Sequence, residues 1–405
     1  MICGELTNEN AQHNLGYMPA VAGTCQTMGN LECWYCNDCG ICWLDEALTM
    51  QTNRFSIMTG YGDHEAASCT DNGDGTHSQV CACGEIISTE KHSYGETSEV
   101  KVDGVCACGH TVVGMNQVSM ELQSSLSVKF RVPVSTLDLA NKTYTAKIIR
   151  YGADGTTDTK EIPNSQWANF NDNYKFVTYS GVAAKQMNDK FVLAIFDAEG
   201  NQLSVNFATT IADYVISQLR TTTKEALKTV YVDVLNYGAA AQVAFKYDAE
   251  NPANAALTEA EKAYATKSVE MEAFAVSGTG YNKTTLSLGS RIELKIQFKD
   301  ADMPRANVAY AIATWNNYKG VAKSQTINES AFIKVGNYYQ VVVSEIGLAD
   351  CLENVTVTLY DANGTPLSAV TDSVGNYVAA QPATANAIYF AVQKLAYSAS
   401  TYFKG

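Results

Sequence analysis

Eleven of the twelve cysteines and all five histidines of this 405-residue chain fall within its first 110 residues. No other feature restricts the fold as much. Thiolate and neutral imidazole are the donors that structural zinc prefers, usually four to an ion in a closed tetrahedron. The densest stretch, CQTMGNLECWYCNDCGICW from Cys25, contains Cys36-Asn-Asp-Cys39-Gly40. Two cysteines at that spacing, followed by glycine, make the tight turn of a zinc knuckle. Both sulfurs then point at one ion, and glycine tolerates the positive φ of the turn. Cys-Gly pairs recur at Cys83-Gly84 and Cys108-Gly109.

The first ligand set reads His13, Cys25, Cys36 and Cys39, with Cys3 as a fifth candidate. Nine more candidates follow: His64, Cys69, His77, Cys81, Cys83, His92, Cys106, Cys108 and His110. They serve two ions with one residue left over. A nested assignment puts His77, Cys81, Cys83 and His92, which are close in sequence, at one ion. His64 and Cys69 then close on Cys106 and Cys108 at the other. A rival partition groups His64, Cys69, Cys81 and Cys83, copying the histidine, cysteine, knuckle order of the first set. Two to three structural zinc ions are expected.

The competing reading is a disulfide framework, the usual arrangement of clustered cysteines in extracellular proteins. Histidines travelling with the cysteines favour metal, as do Cys-x-Cys pairs poorly spaced to bridge each other. Cys33 and Cys42 sit three residues outside the knuckle on either side. On a hairpin they would face one another, which makes them candidates for a disulfide. Trp34 and Trp43 flank the knuckle and are expected to cover a small core. Thr70, Asn72, Asp74 and Gly75 imitate a calcium loop, but its twelfth position is Cys81 where a bidentate glutamate belongs, so a polar hairpin turn is expected. Cys351, alone in the C-terminal half, reads as a small buried thiol.

From Gln117 the composition changes to β-branched residues and tyrosines. Leu126, Val128, Phe130 and Val132 alternate with Ser127, Lys129 and Arg131, the pattern of a half-buried strand. Further strands are expected at 144–149, 175–179 and 191–196, with a hairpin turn at 197–201. The period then changes: Ile211, Tyr214, Val215 and Leu219 share one helical face, and Leu227, Val230, Tyr231 and Val234 begin another. Asn251-Pro252 ends that helix, and Thr258 with Glu261 predicts a brief capped turn. The body then repeats. FDAEGNQLS at 196–204 matches YDANGTPLS at 360–368, and Tyr231, Val234, Ala241 and Phe245 match Tyr389, Val392, Ala399 and Phe403 at a constant offset. The fold expected is mainly β with helices: small Cys/His zinc-ribbon-like modules, then two tandem immunoglobulin-like β-sandwiches, each with C-terminal amphipathic helices. The expected divisions are 1–60, 61–116, 117–250, a linker at 251–269, and 270–405.

HNLGYMPAVAGTC…GNLECWYCNDCG and CTDNGDGTHSQVCACGEIISTEKHSYGE…DGVCACG resemble the short Cys/His repeats of large surface proteins from anaerobic gut Firmicutes. YSGVAAKQMND, FDAEGNQLS and VLNYGAAAQVAF resemble a domain found after such repeats in the same proteins. The resemblance implies an extracellular, non-catalytic context. Cys-x-Cys stands here where Cys-x-x-Cys is commoner in those repeats.

The net charge of −14 disfavours nucleic acid and anionic membranes as partners, and no apolar run is long enough to span a bilayer. The opening MICGELTNENAQH lacks the regions of a signal peptide, so a fragment of a longer secreted protein is expected. The five sequons at Asn141, Asn282, Asn328, Asn354 and Asn363 matter only in a eukaryotic secretory pathway. The expected role is a structural or interaction segment, possessing no catalysis, whose partner is a cell-surface or extracellular protein or glycan. Carbohydrate binding is the alternative, since Trp167, Trp315 and many tyrosines offer stacking faces beside Asn169, Asn171, Asn316 and Asn317. Enzymatic activity is disfavoured: no histidine follows His110 to serve a triad, no carboxylate pair stands out, and cysteine-rich metal sets read as closed.

Overall fold

A computed structural model describes residues 13–122 and 124–404. The chain is mainly β, with many small sheets and a few helices. It divides into two compact units, Met1–Tyr94 with Val105–Thr111, and Gly95–Gly104 with Val112–Gly405. The Cys/His segment read from the sequence as two modules thus falls mostly within one unit, and both repeats of the body share the other. Cys3 lies outside the described residues.

The first unit has little to bury. Its strands are short: Leu15–Met18, Cys33–Cys36, Cys42–Trp43 and Gln51–Thr52 form one sheet, and Met28–Asn30 pairs with Met58–Tyr61. Ala66–Asp71, Thr76–Cys81 and Ile86–Lys91 form a three-stranded meander. Its apolar centre is Cys33, Cys42 and Ile57, packed by Met18, Tyr35 and Leu44. Trp34 and Trp43 are cross-strand partners; Trp43 is buried and lies 4.8 Å from the His13 ring. The Asp71–Thr76 segment is a hairpin turn as expected, with Asp71 and Asp74 accepting from the Gly73 and Thr76 amides.

In the second unit the duplication is visible strand for strand. Gln117–Leu122, Leu126–Pro133, Tyr174–Val182 and Ala168–Asn171 lie side by side in that order, as do Tyr281–Leu288, Ile292–Lys299, Tyr338–Val343 and Ile333–Val335. The partner sheets run Thr157–Pro163, Tyr144–Tyr151, Lys190–Asp197, Asn206–Thr209 and Ala322–Asn328, Tyr310–Asn316, Val355–Tyr360, Pro366–Asp372. All these pairings are antiparallel. Each repeat therefore has eight strands in one topology. The first repeat adds a short parallel strand, Glu96–Thr97, beside Asn206–Thr209. Alternation aims Leu126, Val128, Phe130 and Val132 inward, and Phe130 meets Phe207 of the other sheet edge to face at 6.3 Å.

Helices close both repeats. Thr210 caps α1 (Ile211–Thr221) by accepting from the Asp213 amide, and α2 (Glu225–Ala244) follows. The Thr258–Glu261 capping box forms as read from the sequence and starts the one-turn α3 (Glu259–Lys262). In the second repeat Ser373 caps α4 (Val374–Ala379) by accepting from the Asn376 amide, and α5 (Ala387–Lys404) follows. α2 packs against α5, with the matched residues Val234, Val392, Ala241 and Ala399 fully buried. Gly238 lies against Met187: a Cβ there would stand 2.3 Å from its sulfur.

Candidate metal centres

Three turns of one design present the cysteines. In Cys36–Ile41 the Gly40 amide donates to the Cys36 carbonyl (2.8 Å) and the Cys36 amide to that of Ile41 (2.9 Å). In Cys81–Glu85 and Cys106–His110 the loop is one residue shorter. The glycine amide donates back to the first cysteine, and the first cysteine's amide donates to residue 85 or 110. Gly40, Gly84 and Gly109 have φ of +74°, +94° and +91°, the left-handed backbone that glycine allows at no steric cost. The tighter Cys-x-Cys-Gly turn still brings both sulfurs of Cys81 and Cys83 into one cluster.

The first cluster is His13, Cys36 and Cys39, with Cys39 Sγ 3.9 Å from His13 Nδ1. Burial pushes the Cys36 thiol up, but the amides of Cys39 and Asp38 and the His13 ring together bring it down to about 6. The second cluster is Cys25, His64, Cys81 and Cys83. Its four donor atoms lie within 4.8 Å of one another, with Cys25 Sγ to Cys81 Sγ at 3.2 Å and Cys83 Sγ to His64 Nδ1 at 3.3 Å. The Cys83 amide, the His64 ring and the Cys25 thiol lower Cys81 to about 6, while its hydrogen bond to Cys81 raises Cys25 to about 11. The third cluster is His77, His92 and Cys108, joined by Cys106, whose sulfur is 3.6 Å from His77 Nδ1. His92 Nε2 is buried, without a hydrogen-bond partner, and 3.3 Å from Asp71 Oδ1.

These donor sets fit a tetrahedral thiophilic ion. Zinc bonds of about 2.3 Å to sulfur and 2.0 Å to nitrogen put tetrahedral edges at about 3.5–3.8 Å. In the second cluster the separations of 3.2 and 3.3 Å fall somewhat short of those edges, and all four donors lie within 4.8 Å of one another. An S···S distance of 3.2 Å also stands far beyond the roughly 2.05 Å of a disulfide. The eleven described cysteines are all free thiols.

The grouping differs from both sequence-based partitions. The nested reading puts His77 and Cys81 at one ion because they are close in sequence. They occupy opposite ends of the extended strand Thr76–Cys81. Four residues of strand span about 13 Å, beyond the reach of a single ion. His92 lies at the His77 end, its amide donating to the Gly75 carbonyl, so His77 and His92 stay together while Cys81 and Cys83 leave them. Cys106 and Cys108 join the two histidines rather than His64 and Cys69. Three members of the rival set, His64, Cys81 and Cys83, do converge. Cys69, opposite Gln79 in the meander, belongs to none of the clusters, and Cys25 takes its place. His13, Cys36 and Cys39 meet as read, without Cys25.

The register of Cys33 and Cys42 also differs. Trp34 pairs with Trp43 and Tyr35 with Cys42, because the knuckle turn closes between Cys36 and Ile41 instead of symmetrically about Cys36 and Cys39. Cys33 and Cys42 are therefore diagonal neighbours on one buried face, both reduced, each packed in the small core. His110, the residue left over, bonds the Tyr94 hydroxyl at 2.7 Å and stacks on His92 at 4.4 Å.

Sequence spacing missed the placement of Cys25. The signal was in the glycines. Cys25 tops the turn Thr24–Thr27, in which Thr24 Oγ1 accepts from the Gln26 and Thr27 amides. That turn rests on the strand leading to His64: the Gly62 amide donates to the Thr24 carbonyl (3.0 Å), and a Cβ on Gly62 would lie 2.2 Å from the Gly23 oxygen. Only bare backbone fits on both sides, and the contact sets Cys25 beside His64. No protein-family model and no curated protein matches this chain.

Proposed function

We propose that the chain is a non-catalytic extracellular or cell-surface segment. In this reading structural zinc ions hold the Cys/His unit, and the two repeats are immunoglobulin-like β-sandwiches serving as spacers or adhesive modules. The observation that carries it is the Cys25, His64, Cys81, Cys83 set: four protein donors leave no coordination position for substrate or water. The small apolar centre of that unit supports a metal-dependent fold, because so few buried side chains offset little chain entropy. The partner is a surface protein or glycan. Among the described residues, no helix is long and apolar enough to cross a membrane.

Elemental analysis of anaerobically purified protein, with a thiol count after denaturation, tests the reading. Two to three zinc ions per chain with free thiols support it; metal-free protein with five or six disulfides refutes it.

Carbohydrate binding is the second reading, and one observation favours it. Trp167 and Trp315 are both buried, their indole nitrogens turned to Ile162 O and Asp350, which removes them as stacking platforms. A separate cleft of about 510 Å³ is lined by Tyr214, Tyr231, Tyr318, Tyr402 and Phe403, with Glu121 at its wall. A glycan array repeated with Tyr231→Ala and Tyr402→Ala separates the readings: signal lost in both variants assigns the cleft, and an array without signal removes it.

A further inference from the structure

The order of the ligands along the chain carries a consequence for how the Cys/His unit is built. Each knuckle has one histidine upstream of it: His13 before Cys36 and Cys39, His64 before Cys81 and Cys83, His92 before Cys106 and Cys108. The remaining donor of the second and third clusters does not come from the interval between its own histidine and knuckle. Cys25 lies in sequence between His13 and Cys36, inside the span of the first cluster, yet its sulfur stands 3.2 Å from Cys81 Sγ. His77 lies between His64 and Cys81, inside the span of the second, yet its Nδ1 stands 3.6 Å from Cys106 Sγ.

We propose that the metal sites are interlaced: Cys25 is the fourth ligand of the ion held by His64, Cys81 and Cys83, and His77 crosses in the same way to the ion of His92, Cys106 and Cys108. The inference deepens the structural-zinc reading and rests on it. Successive modules then have no metal site to themselves. Every ion after the first clips the loop of one ligand set to the knuckle of the next, and the segment folds as one framework instead of as independent beads.

Two features unrelated to the donors hold the crossing in place. The Thr24–Thr27 turn is fixed on residues 60–62 by the Gly62 amide and by the glycine-on-glycine approach of Gly23 and Gly62. The strand Thr76–Cys81 is too long to keep His77 and Cys81 at one ion, so it delivers one donor to each of two sites. A Cys3His set and a Cys2His2 set are both complete closed zinc spheres.

The test compares Cys25→Ser and Cys69→Ser in the full chain, each purified anaerobically and assayed for zinc. Cys25→Ser is expected to lose one zinc equivalent, and Cys69→Ser to keep the wild-type content. Cys25→His guards against misfolding by supplying a different donor. It should restore the equivalent while the cobalt-substituted protein loses thiolate-to-metal charge-transfer absorbance. Cys25→Ser with unchanged zinc and unchanged resistance to chelator overturns the interlacing alone, as does loss of zinc from Cys69→Ser. Wild-type protein devoid of metal overturns the structural-zinc reading together with it.

Discussion

Removal of the Asp189 carboxylate should destabilise the second unit by several kcal/mol. The side chain is fully buried, and it receives Arg150 Nη1 at 2.6 Å and the Tyr247 hydroxyl at 2.6 Å. Tyr247 in turn accepts the Ala153 amide at 3.1 Å. Three parts of the first repeat meet at this carboxylate: the strand Tyr144–Tyr151, the loop before Lys190–Asp197, and the segment after α2. The turn that delivers Tyr247 is held in the left-handed region on both sides, with φ of +51° at Lys246 and +49° at Asp248. Such backbone persists where the surroundings enforce it. Asp189→Ala takes from the Arg150 guanidinium, 12% exposed, the carboxylate it donates to, and takes the acceptor from Tyr247. Breaking a buried pair from one side costs about 3–5 kcal/mol. That corresponds to a rise of about two to four orders of magnitude in the population of the open state. Hydrogen exchange of peptides covering 144–151 and 190–197 reads this unit without interference from the other. Arg150→Met combined with Asp189→Leu should recover most of the loss, because no charge is then left uncompensated. A cost below about 1 kcal/mol for Asp189→Ala, the range of an ordinary hydrogen bond, would show that water reaches the pair and would refute the argument.

Other outcomes follow from particular contacts. A zinc chelator should remove exchange protection from residues 13–94 and 105–111 while leaving 126–133 and 225–244 protected, since metal binding supplies the folding free energy of small zinc modules; uniform protection after chelation would contradict it. Gly62→Ala places a Cβ 2.2 Å from a backbone oxygen, so it should cost about 1–3 kcal/mol and release one zinc equivalent, measured by thermal melting and elemental analysis. Glu261 accepts from the Arg220 guanidinium and from the Thr258 amide and hydroxyl, which hold its carboxyl down at about 2. A carboxyl lowered in the folded state contributes above its ordinary value near 4.5 and loses that contribution as pH falls toward about 2. Protection of residues 258–262 should fade across that window, and Glu261→Ala should abolish the pH dependence at a cost of about 1 kcal/mol.

Much of the second unit was legible in the sequence because its signals are local and periodic. Alternation at Leu126–Val132, helical faces at Ile211–Leu219 and Leu227–Val234, the Thr258–Glu261 box and the matched hairpins at 197–201 and 361–365 all appear where they were read. Period two and period 3.6 report which face of an element is buried, and a duplicated sequence reports a duplicated topology. The turns that present the cysteines were equally local, since a cysteine pair before glycine specifies its own turn. The partition of the cysteines and histidines was not. A strand carries neighbours in sequence apart at about 3.3 Å per residue, so His77 and Cys81 separate. A turn pressed on a glycine brings Cys25 to His64 across 39 positions. The closing point of one knuckle shifted the register of Cys33 against Cys42, which spacing alone could not fix. Composition and local pattern thus determined the elements and the kinds of side chain, while the choice of which cysteines and histidines converge belonged to long-range backbone contacts, which leave almost no periodic trace in the chain.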